Sequence, residues 1–372
     1  MELTLNKSDL NRAIAVTQSV VEKKATMPIL VNVLLSAADG YLKLSSTDLE
    51  ITTFVNVKAN VKSSGSTTVN AKVLAELVRE LPEGELLFKL TDGERLEITA
   101  GKSKFKIVGV SAEEFPALPG IGADVKGRIS SHQLNEMITK TLYAVSQDET
   151  RFNLNGVCFE LIKEGKEELL RLVATDGHRL AMITRRVDNL SFPDRIIVPK
   201  KGLAEIKKLI DPEHDKVIGI DIKDGFFLVE TDEAKISMRL VDGEFPDYHQ
   251  VLPKKKGVLA TAQSGDLAQA LKRVALMVTD KGKGVRLDYS KNDLRISSSS
   301  PELGEAREQL EIEYVGEQLS VGFNAKYLVD IALSLQEDQP LVMELNGELG
   351  PGKFFSASDD SYVCVVMPMR LN

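Results

Sequence analysis

The chain has no tryptophan, and its other aromatics amount to only 5% of residues. That scarcity argues against a single-strand nucleic-acid binder, which stacks bases on aromatic platforms. Cysteine is nearly as rare, with Cys158 and Cys364 the only two in 372 residues. Two isolated cysteines fit buried packing positions better than a disulfide framework. Four histidines, His132, His178, His214 and His249, show no ligand-pair spacing. Neither a metal nor any other cofactor is expected from them. No apolar run reaches the roughly 18 residues that a bilayer span needs. The opening Met1-Glu2-Leu3-Thr4-Leu5-Asn6 alternates at once and lacks the basic-then-apolar order of a signal peptide. A cytoplasmic address with no membrane partner follows as an expectation.

Positive charge is also in short supply, with 47 Lys and Arg against 55 Asp and Glu, a net charge of −8. Phosphate affinity comes from clustered Lys and Arg, so any contact with DNA depends on distribution hidden within that sum, and is expected with the duplex backbone.

What is present is repetition. At 372 residues the chain exceeds what one hydrophobic core usually serves, and it opens the same way three times. Ser8-Asp9-Leu10 leads to Ile14 and Val20, Ser131-His132-Gln133-Leu134 to Ile138 and Val145, and Ser264-Gly265-Asp266-Leu267 to Leu271 and Val278. In each, a serine reads as the N-cap of an amphipathic helix. Strand-then-helix units recur within each third at 67–81, 195–210 and 318–335, and two thirds close alike on Glu114-Phe115-Pro116 and Glu244-Phe245-Pro246. Linkers fall near 119–125 and 253–257. The economical organisation is α+β: three similar domains, 1–124, 125–254 and 255–372, each an internally doubled unit of two helices packed on antiparallel sheets.

The expected helices span roughly 8–20, 71–81, 131–145, 200–210, 264–278 and 324–335. They carry 11 basic against 7 acidic residues, whereas the rest of the chain is acidic. Helix surfaces tolerate Lys and Arg in any case. Six equivalent helices on one side of repeated sheets nevertheless point to a basic surface inside an acidic shell.

The segments Met27-Pro28-Ile29-Leu30, Ser46-Thr47-Asp48-Leu49-Glu50, Leu154-Asn155-Gly156, 174–180, Leu240 through Tyr248, and the terminal 365–371 run together resemble the bacterial DNA polymerase III beta subunit family, the sliding clamps. The resemblance runs end to end. It implies a non-catalytic processivity factor that closes into a ring around double-stranded DNA as a head-to-tail homodimer, helices lining the hole and sheets forming the wall. The implied partners are the replicative DNA polymerase catalytic subunit, the clamp loader, and other polymerases and repair proteins carrying clamp-binding peptides, at a nucleoid-associated address.

The same resemblance implies site residues. A hydrophobic peptide cleft would be built from Leu154, Thr175, Gly177, His178, Arg179, Leu180, Pro246, Val251 and the strand residues Val365, Val366 and Met367. Arg151, Leu349, Pro368 and Met369 would border it. A strand of Val and Met can equally be plain core, the reading that Val365 favours by itself. Arg151 or Arg179 would bond peptide carbonyls, and Gly177 would admit close backbone approach. DNA contacts would come from Lys24, Gln147 and Arg151, with the helix residues Arg79, Lys200, Lys201 and Lys208 added from the sequence, and Lys102 and Lys104 beside them. Dimer contacts would pair Phe105 and Ile107 with Leu276 and Met277. The chain departs from the family in two places: Phe152-Asn153 follows the cleft arginine where a tyrosine pair occurs, and Gln250 stands where an arginine can occur.

Asp176 and His178 invite a second reading, a hydrolase using an acid–base pair on a repeat scaffold. No G-x-S-x-G elbow accompanies them, and Lys281-Gly282-Lys283-Gly284 lacks P-loop spacing.

Overall fold

The computed structural model describes residues 1–21, 27–118, 124–188, 190–193, 195–279 and 284–370. Helices α1 (Lys7–Gln18), α2 (Ala71–Glu80), α3 (Ser131–Leu142), α4 (Lys200–Leu209), α5 (Ser264–Ala275) and α6 (Ala325–Leu333) lie where periodicity puts them. Burial at Leu10, Ala13, Ile14 and Thr17 in α1 and at Ala71, Leu74, Ala75 and Val78 in α2 follows the three-and-four spacing of one helical face. Both faces pack into one apolar cluster with strand residues such as Leu35, Leu42, Val57, Phe88 and Ile98.

The helix ends differ from the sequence expectation for a local reason. Ser8, Ser131 and Ser264 lie inside their helices rather than capping them. The cap of α1 is Asn6, whose Oδ1 accepts from the Ser8 amide at 2.9 Å, and Ser130 Oγ accepts from the Gln133 amide at 3.1 Å. Gln263 precedes α5 without a side-chain cap bond. At the other ends, Ala144 and Val145, like Met277 and Val278, donate three residues back, so each α-helix tightens into a last turn of the 3₁₀ kind and stops earlier than its apolar pattern does.

The chain forms two compact units: 1–134 with 188–192 and 201–240, and 135–187 with 193–200 and 241–372. The first holds a 12-stranded sheet, the second a 9-stranded and a 4-stranded sheet. Each large sheet joins strands from two of the expected thirds. In the first unit Ile51–Ser63 pairs antiparallel with Ala234–Arg239; in the second Arg179–Val187 pairs antiparallel with Asp359–Val366. Sheet hydrogen bonding thus continues through both expected boundaries, and the middle third contributes to both units. Among the described residues no helix is long and apolar enough to cross a membrane.

The seam of the second unit also carries a charge network. Arg185 binds Glu136 of α3 at 2.6 Å and Asp359 at 2.7 Å, and Lys140 binds Glu136 at 2.8 Å. Burial by itself would raise the Asp359 carboxyl, but the bonds from Arg185 and Ser361 and the neighbouring cations outweigh it and leave Asp359 at about 2, below its ordinary 3.8. A depressed carboxyl stabilises the fold above its unfolded value and loses that contribution as pH falls through its folded value. Asp359→Asn should therefore lower stability by about 1 kcal/mol at neutral pH, discounted for partial exposure. Denaturant midpoints should show the full gap from wild type above pH 4, narrowing toward pH 2. A gap independent of pH over that range would contradict the assignment.

Candidate functional site

The turn that follows strand Glu167–Thr175 is held almost wholly by its own side chains. Thr175 Oγ1 donates to the Arg179 carbonyl at 2.6 Å and accepts from the Gly177 amide at 3.1 Å. Asp176 Oδ1 accepts from the amides of His178 and Arg179, each at 3.0 Å. Gly177 sits at φ +88°, left-handed backbone that favours glycine. The neighbouring strand then continues into the turn, because the Met367 amide donates to the His178 carbonyl at 3.0 Å. Beyond it the Met369 amide bonds the Gly322 carbonyl at 2.7 Å, so the chain's last described residues are tied down.

Beneath this turn lies a cluster of Leu154, Cys158, Val173, Leu180, Ile197, Phe245, Tyr248 and Val365. Among the expected cleft residues, with Phe152 beside Arg151, four apolar side chains are exposed: Phe152 by 59%, Leu349 by 73%, Met367 by 44% and Val251 by 41%. Pro246 is exposed, and Thr175, Pro368 and Met369 are half-buried. The expected cleft residues thus separate into a rim and a floor. Val365 and Val366, expected to line the cleft, are buried, as are Leu154 and Leu180. Val365 packs into that cluster with Leu154 and Leu180, and its strand Asp359–Val366 lies inside the sheet, paired by Arg179–Val187 on one side and Gly352–Ser356 on the other.

Arg179 also departs from its expected role. It is buried, and its donors are spent within the chain, on Asp176 at 3.1 Å, on Asp330 of α6 at 2.6 Å and on the Tyr143 carbonyl. Its guanidinium centre lies 4.4 Å from the Tyr327 ring centroid and 5.3 Å from that of Tyr143. It is a strut under the turn, not a donor to an incoming carbonyl. Arg151 is the exposed arginine; its Nη1 donates to the Asp176 carbonyl at 3.3 Å. A cavity of about 520 Å³ opens beside it, lined by Gln147, Arg151, Asp176, His178 and Lys326 among others.

The two departures from the family pattern have structural employment. Asn153 Nδ2 donates to the Glu244 carbonyl at 3.0 Å, and the Phe152 ring lies 3.1 Å from where a Cβ on Gly243 would stand, so both fix the 243–244 loop. Gln250 Nε2 donates to Asp247 at 3.1 Å; that bond first, then the His249 amide, holds the Asp247 carboxyl below its usual range. Sequence reasoning did not place Phe152 among the cleft residues although it adjoins Arg151, and it missed Asp330, which lies 151 positions from Arg179 with no spacing to announce it.

Asp176 gives its oxygens to two amides and Arg179 rather than to the His178 ring, so no oriented acid–base pair exists there and the hydrolase reading is unsupported. The basic candidates are dispersed in character. Arg79 is exposed in the last turn of α2. Lys201 and Lys208 pair with Asp48 and Glu205. Burial first, then the nearby charges of Arg179 and Lys326, lowers the Lys200 ammonium from its usual range. Lys102 is exposed, while Lys104 and Lys106 share Glu97 on the next strand. Lys24 lies outside the described residues. Of the four expected interface positions, Phe105 and Leu276 are exposed and Ile107 and Met277 half-buried; none is fully buried.

Profiles of the DNA polymerase III beta subunit match in chain order: the N-terminal domain over residues 1–119, the central domain over 128–247 and the C-terminal domain over 249–370. The chain is 32% identical to the beta sliding clamp of Vibrio cholerae and 33% to that of Escherichia coli, with 100% of both chains covered in each case. Its structure is similar to a crystal structure of the DnaN sliding clamp from Bartonella birtlesii bound to griselimycin, with a TM-score of 0.93, 31% identity and 100% of both chains covered. It is also similar to the DNA polymerase III subunit beta from Pseudomonas aeruginosa, with a TM-score of 0.92, 32% identity and 100% of both chains covered.

Removing the strut tests its role. Arg179→Met strands Asp176 and Asp330 without their cation and should cost about 3 kcal/mol in denaturant unfolding. A variant as stable as wild type would show that Arg179 is not structural.

Proposed function

Because this chain belongs to the DNA polymerase III beta subunit family and is a sliding clamp, a non-catalytic processivity factor partnering DNA and polymerase, we propose that two copies close head to tail into a ring. Each copy would contribute three clamp domains, 1–124, 125–254 and 255–372. The ring would encircle duplex DNA and hold the polymerase by topology, acting in the cytoplasm at the nucleoid. Sliding demands phosphate contacts that are sequence-independent and weak, and a net charge of −8 keeps a modestly basic lining from gripping.

Two open sheet edges are the observation that carries closure. Among the described residues strand Ser103–Val110 has its 103–108 stretch paired on one side only, and it bears Lys104 and Lys106 with the exposed apolar Phe105 and Val108, directly after Lys102. Strand Gly304–Glu311 is the outer strand of the 4-stranded sheet and carries Glu305, Glu308 and Glu311 with Arg307, directly after Glu302. Helix α5, whose C-cap is Leu276, packs against it. An unpaired edge invites another strand, and opposite charge selects which. Pairing unlike edges is heterologous, and a heterologous contact closes into a ring when its rotation permits.

The apolar rim over a packed floor supports the second part: a cleft that takes short linear peptides from the replicative polymerase catalytic subunit, the clamp loader, other polymerases and repair proteins. Met367 and Met369 give an adaptable surface, and each Leu or Phe anchor buried there is worth about 2 kcal/mol. Arg151, Gln147 and Lys326 border the cleft and, with Arg79, Lys200, Lys201 and Lys208 on the helices and Lys24, are the proposed DNA contacts.

Leu276→Ala/Met277→Ala should sediment as a monomer at concentrations where wild type is a dimer; an unshifted dimer would remove this interface. Met367→Asp should weaken binding of a fluorescent peptide with adjacent Leu and Phe anchors by about 30-fold, the equivalent of one lost apolar anchor. Unchanged affinity would place docking elsewhere.

A further inference from the structure

In the first unit the strand pairing that joins the first third to the middle third, Ile51–Ser63 with Ala234–Arg239, is fastened by side chains at one end and undercut at the other. Ile51 stands opposite Met238 at the fastened end. There Lys201 of α4 binds Asp48, and the Ser19 hydroxyl, just past α1, bonds Glu205 of α4. At the other end Val55 stands opposite Ala234, and a cavity of about 900 Å³ opens between α1, the end of α4 and the turn at 231–234. Val16, Val57, Leu209 and Ala234 are among its apolar lining. The ion pair across it is long and exposed, with Arg12 Nη1 4.0 Å from Glu233 Oε1.

The pairing that joins the middle third to the last, Arg179–Val187 with Asp359–Val366, is fastened at both ends. Arg179 ties the turn end to Asp330 of α6 at 2.6 Å. At the far end Ile183 stands opposite Tyr362, as Val55 does opposite Ala234. Thr17 and Thr141 each donate to the carbonyl four residues back, which sets α1 and α3 in a common register. By these registers Arg12, Val16, Val57 and Ala234 correspond to Glu136, Lys140, Arg185 and Tyr362. The second set is bonded into one plug. Arg185 binds Glu136 at 2.6 Å, Lys140 binds it at 2.8 Å, and the Lys140 ammonium lies 4.9 Å from the Tyr362 ring centroid. Tyr362 is wholly buried, and its hydroxyl meets that of Tyr143 at 2.8 Å and that of Ser334, at the end of α6, at 2.6 Å.

Packed interiors transmit force because each atom has neighbours on every side, and a void takes those neighbours from its lining. A strand pair undercut by a cavity therefore opens locally at lower free energy than one packed on its face. We propose that the seam between the first and middle thirds is a compliant joint that pivots on its Lys201–Asp48 end, and that the seam between the middle and last thirds is rigid. In the proposed ring each copy would flex at this joint when the ring opens, a consequence that rests on the ring reading; the joint itself does not.

Hydrogen exchange of the full chain, read by mass spectrometry, tests the joint. Strand segments 55–57 and 234–236 should exchange at least about 10-fold faster than segments 183–185 and 362–364. Arg12→Cys/Glu233→Cys places thiols at two exposed positions on either side of the cavity, while Cys158 and Cys364 are buried. Joined by a short bismaleimide, the double variant should slow the first seam to the rate of the second; left unjoined, it should exchange as wild type does. Equal exchange at the two seams of the wild type would overturn the inference, and so would fast exchange at the first seam that the bridge leaves unchanged.

Discussion

The pairing of Arg179–Val187 with Asp359–Val366 is the constraint on which the site depends. It sets Leu180 opposite Val365 and Arg179 opposite Val366, and it carries the last strand one bond further, from the Met367 amide to the His178 carbonyl. Without it the apolar floor has no second wall and the rim residues Met367, Pro368 and Met369 have no fixed position. The charged groups flanking the pairing serve the same end. Arg185 locks the strands to α3, and Arg179 locks the turn to α6. Buried ion pairs add little net stability, but losing one partner is costly, so such groups fix geometry more than they deepen the energy well.

The electrostatics follow one logic. Lys201, Lys208, Lys104 and Lys106 are each drawn to a carboxylate of their own chain. In the proposed ring, cations already paired with carboxylates of their own chain, such as Lys201 and Lys208, would hold DNA loosely, which is what a sliding tether needs. Tight grip would add affinity and subtract motion. Against the net acidic balance the edge near Lys102 is locally basic, and the proposed contact between copies would find its register by pairing it with the acidic edge near Glu305.

Much of this was legible in the sequence. Helix positions came from apolar spacing such as Leu10 with Ile14 and Leu267 with Leu271, and the threefold order came from repeated openings. What was not legible is long-range. The fusion of thirds into continuous sheets joins Ile51 to Met238 and Leu180 to Val365, pairings with no local pattern to betray them. Arg179 looks like a ligand donor beside Gly177 until Asp330 is brought to it. Helix caps slipped because Asn6 and Ser130 precede the serines that looked like caps.

The central claim is topological, that the protein stays on DNA by surrounding it. Loaded onto nicked circular duplex by the clamp loader and ATP, it should remain bound through gel filtration at salt high enough to screen phosphate contacts. Cutting the circle once should release it. Equal retention on circular and linear DNA would contradict the account.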